Sequence, residues 1–473
     1  MSEGLVSLPS LTLEQLTAVM KGKLVVGNKI SDIPLVVGGL RKTSPASITF
    51  LTKNATRRNA LNQLVKHHVH CVVTTNPNSL PVNKYRKAGI AVIKVSNLLR
   101  SYMALAGTYR RFLDIPFVQV IGSAGKTTTK EMIGAVLAET CNPMISVENR
   151  NSPFSVAHHI LSINASHRSA VIEAGMLRRG MLSTSASMIK PSIAVITSIQ
   201  RAHLLRLKSI QNIIAAKAEI LRHMNANSVL ILNGEDENIK QLPLHRFKGQ
   251  VLRYGFSSEF DLWASDIKIQ GFGTSFIANG KRLKLNIWIN TFGKYNVGNA
   301  LAAILVGLQL GLNSNEIIQG LAKFQPLEGR LKVHPGENGS YVINDNFNAN
   351  PDSTRLLINE LRPLAAHNRV TLVLGDMERP SNSTSKYAYQ VHYEVGKEVA
   401  GVNFEQVLAI GKWGREYVRG AVTSGYPASK ISYYPTVETA RPHIQKLLAP
   451  GAIIVLKASI YTKLEQSLYM YSN

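Results

Sequence analysis

The chain has 473 residues, 45% hydrophobic and 18% charged, a composition that suits about three globular units and excludes a disordered or low-complexity chain. Its 54 Lys and Arg against 29 Asp and Glu give a net charge of +25, a surplus that favours anionic substrates, anionic surfaces or polyanions. Two cysteines, Cys71 and Cys141, make no disulfide framework, and the opening MSEGLVSLPS lacks the basic-then-apolar order of a signal peptide, so the cytoplasm is the expected compartment.

Residues 1–112 read as a small α/β unit. A helix is expected from Leu13 to Met20, opened by Thr12 and Gln15 in capping-box spacing. Short apolar stretches at 47–51, 70–74 and 90–95 suit strands. The run from Lys66 to Cys71 holds three histidines and admits a metal reading, but alternation into a strand is the simpler account. The basic residues form no run of five and carry no interleaved aromatics, so no nucleic-acid partner is expected.

From Ile115 the pattern becomes strand, turn, helix. Apolar strands recur at 169–172, 193–197 and 228–232 with helical stretches between them, which argues for a mostly parallel sheet covered on both faces. Residues 254–289 alternate in shorter runs and suit a β-rich addition. A long helix is expected from Asn296 to Leu312. The uncharged stretch around it carries Asn296, Asn299, Gln309 and Asn313, so it reads as a buried helix and not a membrane span. A third unit, 324–473, places strands at 341–344, 370–374, 406–410 and 453–456 between helices, again as a Rossmann-like doubly wound sheet. The fold class is therefore α/β in three units, 1–112, 113–323 and 324–473, with no solenoid repeat.

The strongest chemical signal is VIGSAGKTTTKEM, beginning at Val120. An apolar strand meets a turn framed by Gly122 and Gly125, with Ser123 between them, and then Lys126, Thr127 and Thr128 open a helix. Such a turn presents backbone N–H groups to phosphate, the lysine adds charge for the outer phosphates, and a threonine hydroxyl can bind magnesium. The expectation is an enzyme that consumes a nucleoside triphosphate.

The string from Gly122 to Met132 resembles the ATP site of the Mur ligases, three-domain ATP-dependent amide ligases. The chain is most similar to the branch that adds D-alanyl-D-alanine to UDP-N-acetylmuramoyl-tripeptide. The resemblance covers essentially the whole chain and assigns expected roles. Glu173, ending AVIE, matches a magnesium ligand, and His203 matches a histidine near a second ion. Lys217, in AAKAE, matches a lysine that many members carbamylate, which would turn a cation into an anionic oxygen ligand. Asn296 falls where the family places an asparagine by adenine. Arg330, in LEGR, matches an arginine delivered from the third domain to the transferring phosphate. The string DNFNANPDS from Asp345 matches the family's D-x-Y-N-A-N-P-x-S, with Asp345 and Asn348 as nucleotide contacts. LGDME from Leu374 and HYEVG from His392 continue the match. Arg41 and Lys42 in the first unit, and Asn350 and Lys457 in the third, are expected to face the acid and amine substrates.

The resemblance implies ATP and two magnesium ions, with Thr127 and Glu173 at one and His203 and carbamylated Lys217 at the other. It implies a small-molecule acid, possibly UDP-linked, an amine or dipeptide, and a monomer. Lys126, Glu173, His203, Lys217 and Arg330 are the expected catalytic set. The reaction implied is attack of a carboxylate on the γ-phosphate of ATP, followed by displacement of phosphate from the acyl phosphate by the amine. Closure of the third unit over the second would exclude water.

The chain departs from the family pattern in places. Ala124 stands for a usual Asn, Ser198-Ile199-Gln200 for Asn-Ile-Gly, and Tyr295 for His. Gly39 and Leu40 replace the Asp-Ser before Arg41 and Lys42, and Ile460 replaces an arginine near the acceptor end. The triphosphate residues are kept while substrate-facing motifs drift. Two other readings therefore stand: a ligase repurposed for another acid and amine, and a non-catalytic nucleotide or polyanion binder on the same scaffold.

Overall fold

The computed structural model describes residues 10–28, 30, 32–35, 37–38, 47–51, 60–200, 207–377 and 384–468. Arg41, Lys42 and His203 lie outside them. The helix of the first unit runs Leu13–Val19, and the Thr12–Gln15 capping box forms in both directions. Its five-stranded sheet orders Lys23–Val26, Ala91–Lys94, Cys71–Thr74, Ile48–Leu51 and Val37–Gly38, antiparallel at the first pair and parallel beyond it. Cys71 is a buried strand residue whose thiol burial pushes up to about 12. Among the described residues no cluster of His, Cys, Asp and Glu suits a metal ion.

The central sheet has nine strands. Pro143–Ile145, Ser169–Glu173, Phe117–Ile121, Ile193–Ile196, Val229–Asn233, Gln250–Gly255 and Leu262–Gln270 run parallel in that spatial order. The β-rich addition expected at 254–289 forms on the same sheet, which Gly273–Gly280 and Leu283–Ile289 extend antiparallel. Phe117–Ile121 is buried along its whole length, as a strand covered on both faces must be. The Lys294–Gln309 helix packs on the Lys126–Leu137 helix and is buried from Asn296 to Gly307. It stops short of Leu312 because Gly311, at φ +84°, takes a left-handed turn. No helix among the described residues is long and apolar enough to cross a membrane.

The third sheet orders Lys332–Pro335, Tyr341–Asp345, Ile453–Lys457, Val370–Leu374, Gln406–Ile410 and Ile431–Tyr434, parallel after its first pair. Its core takes in Phe292 and packs Tyr295, Ile269 and Phe272 from the central region, with the Phe272 and Tyr341 ring centroids 4.8 Å apart. The carboxyl ends of its strands, carrying Asp345, Lys457 and Asp376, form the edge at which doubly wound sheets bind ligands.

Candidate active site

The site is built from the turn outward. Gly122 lies so close to its neighbour that a Cβ would fall 1.9 Å from Thr197 Oγ1, and Gly125 takes φ +79° with Asn299 2.8 Å from its would-be Cβ. Both positions require glycine. The first intrahelical bond is Thr129 N–H to the Gly125 carbonyl, at 2.9 Å. The N–H groups of Lys126, Thr127 and Thr128 precede it and are left to an anion, helped by the positive end of the helix. The turn is held from the next strand: Ala124 N–H donates to Ser198 Oγ at 2.9 Å, and Thr197 Oγ1 donates to the Ala124 carbonyl at 2.5 Å. Ser123 N–H reaches the Ser198 carbonyl at 2.9 Å, and Gln200 N–H reaches Ser123 Oγ at 3.0 Å.

Glu173 ends the strand beside the turn, with Val120 as its register partner. Its buried carboxylate is shared: Thr127 Oγ1 donates to Oε2 at 2.8 Å and Asn151 Nδ2 to Oε1 at 2.6 Å. Ser146 Oγ accepts the Glu173 N–H at 3.0 Å. Lys130, fully buried on the inner face of the helix, clamps the Ser146 carbonyl at 2.5 Å and the Glu148 carbonyl at 2.9 Å. Asn151, Ser146 and Lys130 escaped the sequence reading. The ENRNSP segment that carries Asn151 shows no periodicity or glycine signature to find it by, and the preceding strand, Pro143–Ile145, is only three residues long.

Two cations stand within the field of the same carboxylate. Burial holds the half-buried Lys126 below its ordinary value, Glu173 pulls it back, and Arg330 pushes it further down. Burial likewise lowers Arg330, against Asp345, Glu173 and Tyr295. Arg330 therefore stands within the field of both the phosphate turn and the third sheet, with its guanidinium over the Phe347 ring at 4.3 Å. A narrow crevice, too tight to admit a water, separates Thr127, Thr128 and Glu131 from Leu327 and Arg330. Lys217 is 2% exposed, and burial, then the Lys126 charge, push its ammonium well below the usual range against the pull of Asp236.

The other expected residues have these partners. Asn296 is buried, donating to Thr291 Oγ1 at 3.1 Å and the Phe292 carbonyl at 2.8 Å and accepting from Asn299 at 3.0 Å, while Thr129 Oγ1 donates to Asn299. It braces the phosphate-turn helix. Lys457 bonds Asp345 Oδ2 at 2.6 Å and the Asn348 carbonyl at 3.0 Å, so these three form one cluster. Asn348 Oδ1 is buried without a partner. Asn350 caps the Pro351–Glu360 helix through Ser353 N–H at 2.9 Å.

Two family models match the chain, the Mur ligase middle domain over residues 120–307 and the Mur ligase, glutamate ligase domain over residues 329–460. The UDP-N-acetylmuramoyl-tripeptide–D-alanyl-D-alanine ligase of Bacillus subtilis is 30% identical over 80% of this chain and 80% of its own. The chain belongs to the Mur ligase family. The Mur ligase of the same name from Escherichia coli is 25% identical over 85% of this chain and 86% of its own. Among solved structures, MurF from Acinetobacter baumannii matches with a TM-score of 0.81 at 24% identity, covering 98% of this chain and 99% of its own. MurF ligase from Thermotoga maritima, in complex with ADP, matches at 0.73 and 19% identity, covering 90% and 93%. At those identities the structural likeness shows the Mur ligase fold. The middle-domain match holds the phosphate turn, Glu173 and Lys217, and the second match holds Arg330, Asp345 and Lys457.

Proposed function

We propose that the chain is an ATP-dependent, ADP-forming ligase that joins D-alanyl-D-alanine to UDP-N-acetylmuramoyl-tripeptide. The relatives of that name support the substrates. The observation that carries the chemistry is the meeting of a phosphate-binding turn, a carboxylate bonded to Thr127, and two cations, Lys126 and Arg330, from different units.

The donor set fits magnesium: a buried carboxylate and a hydroxyl 2.8 Å apart, both oxygen, beside a phosphate cradle. Thr127 and Glu173 would hold one ion, which supplies charge neutralisation on phosphate oxygens. Lys217, carbamylated, and His203 would serve a second. The depressed Lys217 ammonium supports carbamylation, since only the neutral amine attacks carbon dioxide.

The chain's own groups do the rest by position and charge. The N–H groups opening the Lys126–Leu137 helix hold the phosphates, and Lys126 and Arg330 offset charge as the γ-phosphoryl moves. A carboxylate oxygen of the tripeptide attacks the γ-phosphorus, the β–γ bridge breaks, and ADP leaves. The amine nitrogen then attacks the acyl carbon, phosphate departs with that carboxylate oxygen, and the nitrogen loses a proton. Packing of Tyr295 and Phe272 into the third sheet's core supports a closed arrangement that keeps water from the acyl phosphate.

In this reading residues 1–112 bind the UDP-linked acid, 113–323 bind ATP, and 324–473 receive the amine, in a cytoplasmic monomer. The test is ADP release from ATP with the tripeptide and D-alanyl-D-alanine together. Turnover only with another acid and amine would favour the repurposed ligase, a reading supported by Ile460, which is 50% exposed where the family has arginine.

A further inference from the structure

The positive charge is unevenly divided. Residues 1–112 carry 16 Lys and Arg against 3 Asp and Glu, a net +13, whereas residues 324–473 carry 16 against 13. Every ion pair among the described residues joins residues from Lys130 onward, so none forms on the first unit.

Four of these cations meet at one corner of the first sheet. Lys23 and Lys94 are direct partners across the antiparallel pair, which sends their side chains from the same face. Gly22 packs onto that strand so closely that a Cβ would lie 2.9 Å from the Lys94 carbonyl, which brings Lys21 to the same place. Ser101 Oγ donates to the Met20 carbonyl at 3.1 Å. That bond ties the first turn of the Leu98–Tyr109 helix, with Leu99 and Arg100, to the residue before Lys21. Lys21, Lys23, Lys94 and Arg100 are exposed, and the same end of the sheet carries two exposed leucines, Leu24 at 42%, next in the edge strand to Lys23 and on its other face, and Leu99 at 43%, beside Arg100. Glu14 sits at the far end of the Leu13–Val19 helix. Directly opposed like charges repel, and nothing among the described residues neutralises them.

We propose that this corner docks the protein on an anionic lipid surface, with Lys21, Lys23, Lys94 and Arg100 at the headgroups and Leu24 and Leu99 at the acyl boundary. Cations grouped at an edge that also exposes aliphatic side chains suit a lipid interface. A single-stranded nucleic acid would need exposed rings on which bases stack, and the corner offers none among its described residues. The corner is not the expected nucleotide site either. Lys23–Val26 is one edge of the sheet and Val37–Gly38, after which Arg41 and Lys42 follow in sequence, is the other.

The experiment is co-sedimentation of the full chain with phosphatidylglycerol–phosphatidylcholine vesicles and with phosphatidylcholine vesicles alone. Binding is expected only to the anionic vesicles, weakening with salt and unchanged by UDP. A variant K21E/K23E/K94E/R100E is expected to lose at least tenfold, since each cation contributes about fivefold near an anionic surface. A milder variant, L24S/L99S, leaves the charge intact and is expected to lose severalfold; unchanged ATP binding and melting temperature show that each variant is folded. Equal binding to neutral vesicles, no vesicle binding, displacement by UDP, charge variants that bind like the parent, or tighter binding of single-stranded RNA through the same residues would each overturn the proposal.

Discussion

Thr127 Oγ1 donates to Glu173 Oε2 at 2.8 Å, joining the first turn of the phosphate-binding helix to the end of the neighbouring strand. Residues 46 positions apart in sequence thereby share one oxygen-rich corner beside the phosphate cradle. Glu173→Gln keeps the volume and removes the charge. It is expected to lower kcat for ADP release by roughly a hundredfold or more. Thr127→Val should fall in the same range. The double variant should be little worse than either single, because the two act as one unit. Binding of Mn²⁺ followed by electron paramagnetic resonance should weaken in all three.

Lys217 is buried, and burial disfavours its charged form. Its folded-state value is depressed, so between that value and the ordinary 10.5 the unfolded chain holds a proton that the folded chain lacks. Stability contributed by this group therefore rises with pH through that window and is lost as pH falls back through it, with no further change below the folded-state value. Lys217→Met should abolish this dependence and raise stability at neutral pH by about 1–3 kcal/mol, while ligase activity falls. Urea unfolding at several pH values measures the first effect. Carbamylation predicts, separately, that stripping carbon dioxide and bicarbonate lowers the activity of the parent and that adding bicarbonate restores it.

Asp345 and Lys457 end adjacent strands in register and pair at 2.6 Å in a nearly buried setting. Lys457→Met strands a carboxylate and should cost about 3–5 kcal/mol. Lys457→Met with Asp345→Asn should recover most of that loss, and a double-mutant cycle of denaturant unfolding reads the coupling. If the two single costs simply add, the pair is not coupled.

Ala124 and Ser198 replace two residues usual in the family, and the structure puts them in contact through Ala124 N–H and Ser198 Oγ at 2.9 Å. Ser198 thus anchors the turn through the backbone of residue 124. Ser198→Ala should unmake that bond, at about 1 kcal/mol, and raise KM for ATP severalfold with little change in kcat. Equal ATP affinity in the variant would show that the contact does not shape the turn.

The parallel sheets and the phosphate turn were legible because apolar strands, glycines at fixed offsets and a lysine–threonine run leave local signatures. Glu173 was legible as the charged end of an apolar strand. Asn151 and Lys130 were not, since their roles arise from a loop folding back onto a strand distant in sequence. Asn296 shows the same limit. The family resemblance gives it an adenine contact, and what no local pattern shows is that its amide also bonds Thr291, Phe292 and Asn299 within the core. Lys457 and Asp345 could each be picked out, but their pairing depends on strand order, which no local pattern records. The even spread of basic residues along the chain likewise hid how heavily the first unit carries the surplus.

Amide formation through an acyl phosphate moves a carboxylate oxygen onto phosphate, and that transfer can be followed with an isotope. UDP-N-acetylmuramoyl-tripeptide labelled with ¹⁸O in its terminal carboxylate is incubated with ATP, D-alanyl-D-alanine and the full chain. One labelled oxygen is expected in each phosphate released, matched by one amide and one ADP, and none with Lys126→Ala. Amide formed with unlabelled phosphate, or ADP released without amide, would contradict the acyl-phosphate route.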